Sequence, residues 1–300
     1  MESEDILHQL HSIKKKVREL SRETESLKAS FSVEAMLSMR GLRVFRRNPD
    51  DRLFFHPTLS PLRQARFYGM MKRYSFRLVV RDMIKHPNGF GVEDLTHYCT
   101  ADVARDYCER LCQMGIIKRK RKGHYQAQAL PLSSFGPTLE WFVAEMFKRE
   151  FASPALYGVK LKGTDSGGDY DVIASWNRRL VYVEVKSSPP RGIEQSEVAT
   201  FFSRIDQILP EVAILFNDTQ LRMKDKLVVM FEEELKRRYG RRSKTLYPVN
   251  RLVDELFHVR NRIFIINSRK DIFDNFSICL RHYLRNADTF LQPANERGKS

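Results

Sequence analysis

The chain reads as an α/β protein. Its core runs helix–strand–strand–strand–helix–strand around a central sheet, behind a helical module and an N-terminal heptad helix. Three observations predict this. Between Thr138 and Phe216, short runs rich in Val, Ile and Tyr alternate with helix-length stripes. Two of those runs, Val172–Ala174 and Leu180–Val185, flank a polar turn at Asn177-Arg178-Arg179 and read as a β-hairpin. Ahead of them, a strict heptad and then three helical segments closed by a second hairpin occupy the first half. With 300 residues, 42% of them hydrophobic, the chain can build one large core or two to three modest ones.

Residues 1–31 read as a coiled-coil helix. Ile6, Leu10, Ile13, Val17, Leu20, Thr24, Leu27 and Phe31 keep a heptad seam with charges elsewhere and no Gly or Pro. The seam predicts a homodimer through residues 6–31; the same stripe could instead pack on the chain's own body. Residues 32–73 read as a basic connector. Arg40 to Arg73 holds nine Lys or Arg against Asp50 and Asp51, interrupted by Pro49, Pro57 and Pro61. Ser60 is placed to cap a helix from Pro61 to Tyr74. Such a segment is either a solvated linker or a clamp for backbone phosphates, which ask for positive charge rather than geometry.

Residues 74–131 follow a definite order. Phe76, Val79, Val80, Met83 and Ile84 make a helical stripe that stops at His86-Pro87-Asn88-Gly89. Val92 to Tyr98 reads as a second short helix, and Thr100 caps a third, Ala101 to Met114, ended by Gly115. Ile116-Ile117 opens a hairpin turning at Lys122-Gly123. This order resembles a winged helix-turn-helix. The resemblance implies DNA contact, with Arg105 on the third helix and Lys118, Arg119, Lys120, Arg121 and Lys122 forming a basic wing on phosphate. Asp102, Asp106 and Glu109 share the third helix's outer face, so a winged helix used for protein contact is the other reading.

Residues 132–290 supply the core. A helix from Thr138 to Phe151 carries Leu139, Phe142, Val143 and Met146 on its apolar side. Leu156 to Leu161 is a strand, and the acid-bearing hairpin gives two more. Ile193 to Leu209 is a helix and Val212 to Phe216 a strand. Leu221 to Tyr239 reads as a helix, Arg262 to Ile266 as a strand and Asp271 to Leu284 as a last helix, with residues 291–300 a flexible tail.

The stretch Gly167–Ser188, GGDYDVIASWNRRLVYVEVKSS, carries the chemistry. Glu184 and Lys186 share one face of their strand, and Val183 and Val185 take the other. The run is apolar on both faces, which argues for a central strand rather than a charge-guarded edge. Buried charges need partners. A divalent cation held by Asp171 and Glu184 supplies one, since Mg²⁺ takes a few hard carboxylate oxygens plus waters. Taken alone, Asp169 beside two glycines could be turn chemistry, and Asp171 could cap the strand.

Asp171 followed by Glu184-Val185-Lys186 resembles the signature of the PD-(D/E)xK nuclease superfamily, with wording nearest its Holliday-junction-resolvase-like branch. The resemblance covers roughly the second half of the chain and implies a restriction-endonuclease-like αβββαβ core with a mixed central sheet. It implies Mg²⁺ or Mn²⁺ on Asp171 and Glu184, with help from the Val185 carbonyl and Asp169. Lys186 would orient the attacking water and Glu140 would support a second ion or water. Ser187 and Arg191 would touch the scissile strand. Arg204 on the next helix is another phosphate candidate, although it reads first as a surface arginine. The implied activity is DNA endonuclease; the alternatives are a non-catalytic DNA-binding or regulatory protein on the same fold, or an RNA-processing nuclease.

Charge agrees with a polyanionic partner. The net charge is +15, of which residues 40–131 carry +11. An acidic, polar N-terminus and the lack of a long apolar run predict neither a secretory leader nor a membrane span. Cys99, Cys108, Cys112 and Cys279 form no C-x-x-C pair, so a cytoplasmic protein without zinc ribbon or disulfide framework is expected. No nucleotide-binding loop of the P-loop kind occurs, so any motor would be another chain.

Overall fold

The structure is a computed structural model that describes residues 13–20, 32–121, 123–128, 132–164 and 168–287. Residues 13–20 are helical, with Ile13 and Val17 58% and 56% exposed. Leu20 of the seam is described too; the seam residues Ile6, Leu10, Thr24, Leu27 and Phe31, Lys122 and the tail at 291–300 lie outside the described residues.

The segment expected to be a connector is folded into the body. Ser32 Oγ accepts from the Ala35 N–H at 3.1 Å and starts helix α1 (Val33–Ser38). Strand β1 (Arg43–Arg46) then becomes an edge of the main sheet. A linker would leave its backbone to water; here β1 satisfies it by pairing. Helix α2 (Pro61–Met71) begins at Pro61, whose fixed φ suits a first turn, while Ser60 makes no side-chain cap bond.

The helical module follows: α3 (Tyr74–Lys85), β2 (Phe90–Gly91), α4 (Ala101–Met114), β3 (Ile117–Arg121) and β4 (His124–Ala127). The strands form a small sheet in the order β2-β4-β3. Thr100 Oγ1 caps α4 by accepting from Val103 N–H, and Gly115 at φ +73° closes it. The short helix expected over Val92–Tyr98 is a single 3₁₀ turn, Glu93–Leu95. Local side chains compete for the backbone there: Asp94 accepts from Gly91 N–H at 2.8 Å, and Thr96 Oγ1 donates to the Glu93 carbonyl at 2.9 Å.

The remaining elements are α5 (Gly136–Glu150), β5 (Ala155–Lys162), β6 (Tyr170–Trp176), β7 (Arg179–Lys186), α6 (Gln195–Ile208), β8 (Val212–Asn217), α7 (Val229–Tyr239), α8 (Ser243–Leu246), β9 (Val249–Val253), β10 (Leu256–Val259), β11 (Ile263–Asn267) and α9 (Ile272–Ala287). Eight strands run in the order β1-β5-β6-β7-β8-β11-β10-β9. The pairs β7–β8 and β8–β11 are parallel and the rest antiparallel, so the sheet is mixed. The expected helix from Leu221 starts late. Thr219 Oγ1 and Glu255 Oε2 take the N–H groups of Leu221 and Met223, and a π-turn at Lys224–Val228 leads into α7. The hairpin β9–β10 was not expected.

Asn177 and Arg178 adopt φ +47° and +59°, with Trp176 paired to Arg179, which is the type I′ geometry that matches strand twist. That turn sets the register, placing Val183 beside α5 and Tyr182 under Phe201 of α6. One core lies between the sheet, α5 and α9 and continues into the helical module: Phe76, Val80 and Leu111 join Phe142 and Val183. A second lies beneath α6 and α7.

Candidate active site

Strand β7 is the fourth of eight, so Glu184 is interior and 3% exposed. Its neighbour β6 carries Asp171. Tyr170 packs on the α6 side and Val172 on the α5 side, although alternation should place them together. The same slip occurs on β5 between Tyr157 and Val159. Register pairs Val159 with Tyr170 and Tyr157 with Val172, so Gly158 faces Asp171 at a shared kink. Gly158 holds φ +53°, and a Cβ there would sit 2.7 Å from the Pro49 ring and 3.7 Å from Glu140 Oε2. The Pro49 ring and the positive φ ask for glycine here, while Glu140 sits at ordinary contact distance. Kinks of this kind re-aim side chains at sites.

Asp171 Oδ2 accepts the Val185 N–H at 2.7 Å, which ties β6 to the C-terminal end of β7. Val185 thus meets Asp171 through its N–H, a different atom from the carbonyl that the resemblance implied for the metal. Burial, then Glu184 and Glu140, holds the Asp171 carboxyl well above the usual range, against the Val185 N–H and Arg204. Burial and the charges of Asp169 and Glu184 push Glu140 up to about 8. The three acids Asp171, Glu184 and Glu140 therefore feel one another.

Glu184 is held on every side. Oε1 lies 3.1 Å from Lys186 Nζ and Oε2 accepts from Arg204 Nη1 at 2.7 Å and from the Tyr182 hydroxyl. Lys186 also meets Glu197 of α6 at 2.7 Å. Burial opposes the Lys186 charge, yet Glu184, Glu197 and Asp171 raise its pKa, so it stands as an ammonium. Arg204 is not the surface residue expected: it is 8% exposed, and Tyr182 and Glu184 hold its charge against burial. The signal was present in sequence. Glu197, Phe201 and Arg204 recur at helical spacing on the stripe that faces the sheet.

Asp169 is ion-paired, 3.3 Å from Arg52 and 3.1 Å from Lys160, and its charge still reaches Glu140. The Ser187 carbonyl accepts from Arg81 of α3 at 3.2 Å, and Arg191 is exposed on a 3₁₀ turn. In the module, Arg105 pairs with Asp102 at 2.7 Å, and Arg119 lies over Tyr125 with its guanidinium 3.8 Å from Glu109. Lys118 and Lys120 are exposed on β3, which Arg121 ends.

Sequence reading missed how the module meets this site. Arg77 of α3 makes a bidentate pair with Asp218, at 2.9 and 2.8 Å, with 1% and 3% side-chain exposure. Asp218 N–H in turn donates to the Lys186 carbonyl at 2.8 Å, and Asn217 Nδ2 donates to the Ser188 carbonyl at 2.7 Å.

Among the described residues no three His, Cys, Asp or Glu side chains stand together as a metal cage. Asp171 and Glu184, mutually repelling hard oxygen donors, fit the one or two carboxylates that Mg²⁺ takes with water. No family model matches the chain, and no curated protein matches it. Among solved structures it is similar to protein VC1899 from Vibrio cholerae, with TM-score 0.48 and 13% identity over 85% of this chain and 61% of that one. It is also similar to Can2 from Sulfobacillus thermosulfidooxidans, solved with cyclic tetra-adenylate, with TM-score 0.38 and 13% identity over 62% of this chain and 50% of that one. In both pairs this chain spans less than two thirds of the other's length.

Proposed function

We propose that the chain is a metal-dependent nuclease of the PD-(D/E)xK type, acting on DNA phosphodiester bonds and fed by its basic helical module. The observation that carries this reading is the meeting of Asp171, Glu184 and Lys186 at the ends of two central neighbouring strands, with Asp171 locked on the Val185 N–H. The order α5-β5-β6-β7-α6-β8, with β7 and β8 parallel, supports a restriction-endonuclease-like core.

Asp171 and Glu184 are the residues that would hold Mg²⁺ or Mn²⁺. When bound, such an ion lowers the pKa of a water and neutralises charge on the phosphate. Lys186, an ammonium, donates to the water or to a phosphate oxygen and does not abstract a proton in that state. Glu197 aims Lys186 from the helix side, and Arg204 with Tyr182 orients Glu184. Glu140 keeps a proton-binding carboxyl against the cluster near neutral pH.

The test is cleavage of supercoiled, linear, single-stranded and four-way-junction DNA, and of RNA, in Mg²⁺ and in Mn²⁺. Asp171→Asn and Lys186→Ala should each lower the rate about 100-fold or more while the fold is retained, the scale of losing one electrostatic contributor. A parent chain that binds these substrates but cuts none with either metal refutes the nuclease reading and leaves a binding protein on a nuclease fold. Preferential cleavage of RNA moves the substrate assignment without moving the chemistry.

A further inference from the structure

A second feature lies at the other end of the parallel strands. Lys186 and Asn217 mark the C-terminal ends of β7 and β8; Ala213 and Ile263, at the start of β8 and β11, line a cavity of about 940 Å³. Tyr239, Arg260, Arg262 and Asp206 line it, and Tyr239 belongs to the run Lys236-Arg237-Arg238-Tyr239-Gly240-Arg241-Arg242-Ser243-Lys244, which holds six cations in nine residues without an acid. Buried Glu234 accepts Arg237 and Arg238, and Asp206 also takes Arg238. Lys236, Arg241, Arg242, Lys244 and the cavity's Arg262 have no carboxylate partner among the described residues, and all five are exposed.

Aromatic rings interleave with this charge. Tyr239 is 44% exposed on the cavity wall and stacks against Tyr247, with centroids 4.3 Å apart and planes at 31°. The Arg260 guanidinium covers the Tyr247 ring at 5.5 Å. The result is a tilted ring pair under a guanidinium, with Tyr239 part-exposed at the cavity wall. Every base has a π-face that such a ring can cover, but a base in a duplex already stacks on its neighbours. A cavity of this size takes one or two nucleotides and excludes a double helix.

The geometry points to a single-strand nucleic-acid contact here: unpaired bases stack on Tyr239, and Arg241, Arg242, Lys244 and Arg262 track the phosphates. DNA and RNA share that chemistry. The site is remote from Asp171 and is read out by binding, so it stands or falls apart from the nuclease reading.

The experiment uses the full chain carrying Asp171→Asn in EDTA, so that no strand is cut. Fluorescence anisotropy follows labelled oligo-dT, oligo-U and a duplex, each of roughly 20 nucleotides or base pairs, across a salt series. Replacing Arg241, Arg242 and Lys244 together by Ala should weaken single-strand binding about 10-fold and flatten the log–log salt slope by about 2, three lost phosphate contacts. Tyr239→Leu should weaken single-strand binding roughly 5-fold or more and leave duplex binding unchanged, since only an unpaired base meets the ring. An unchanged salt slope in the triple variant overturns the site, as does an equal loss for duplex and single strand on Tyr239→Leu. The dT and U arms decide between DNA and RNA.

Discussion

Both oxygens of Glu184 have cationic partners, Lys186 on Oε1 and Arg204 on Oε2. A carboxylate at the centre of a sheet needs that much, because an unpaired buried charge is costly. Glu140 has less support: only the fields of Arg52 and Arg204 oppose its burial and the charges of Asp169 and Glu184. Its folded pKa of about 8 exceeds the ordinary 4.5, so folding binds a proton between those values. Its contribution to stability is complete below about 4.5 and is lost as pH rises through about 8. In metal-free buffer the urea midpoint of the parent should therefore fall between about pH 5 and about pH 8.5, and that of Glu140→Gln should fall less. Asp171 tilts both curves in the same direction, and because the Glu140 charge helps to raise it, the difference between the curves reports Glu140 together with its coupling to Asp171. Parallel curves would remove the coupled-acid picture.

At the scale of elements, the join between the helical module and the sheet is a covered interface rather than a hinge. Phe67 of α2 meets Phe76 of α3 at 5.7 Å and Trp141 of α5 at 5.8 Å, and Tyr68 meets Phe142 at 5.3 Å. Burial of these rings supplies the attraction, and Arg77 with Asp218 fixes the orientation by two parallel hydrogen bonds. Breaking a buried pair by removing one partner leaves the other charge stranded. Arg77→Met should cost about 3–5 kcal/mol by urea denaturation, and Arg77→Met with Asp218→Leu should restore most of it. A single variant within ~0.5 kcal/mol of the parent would mean that the pair does not hold the module. Element identities were largely legible: α4 and its cap, the type I′ hairpin, α6 and β8 follow the periodicity and turn chemistry of their own residues. Where side chains seized the backbone, as Asp94 did before the 3₁₀ turn and Glu255 did before α7, the pattern misled.

At the scale of the whole molecule, the sequence expectation of a homodimer through the N-terminal seam concerns Ile13 and Val17 among the described residues. Ile13 and Val17 are exposed on residues 13–20, which supports the proposed homodimer. Light scattering should give twice the chain mass for the parent and one chain mass for Ile13→Glu with Val17→Glu; equal masses exclude the seam. No described helix is long and apolar enough to cross a membrane. Sequence by itself determined the α/β class, the basic balance and the local candidates Asp171, Glu184 and Lys186, because alternation and turn chemistry act over a few residues, and the mixed sheet came from resemblance. It also offered Glu140 through resemblance. Only tertiary structure decided that the 32–73 segment joins the sheet, that Arg204 and Glu197 serve the acid cluster, and that Arg77 reaches Asp218 across 141 positions. The physical reason is range: a strand's faces follow from its own residues, whereas the partner of a buried charge is chosen by packing between elements far apart in the chain.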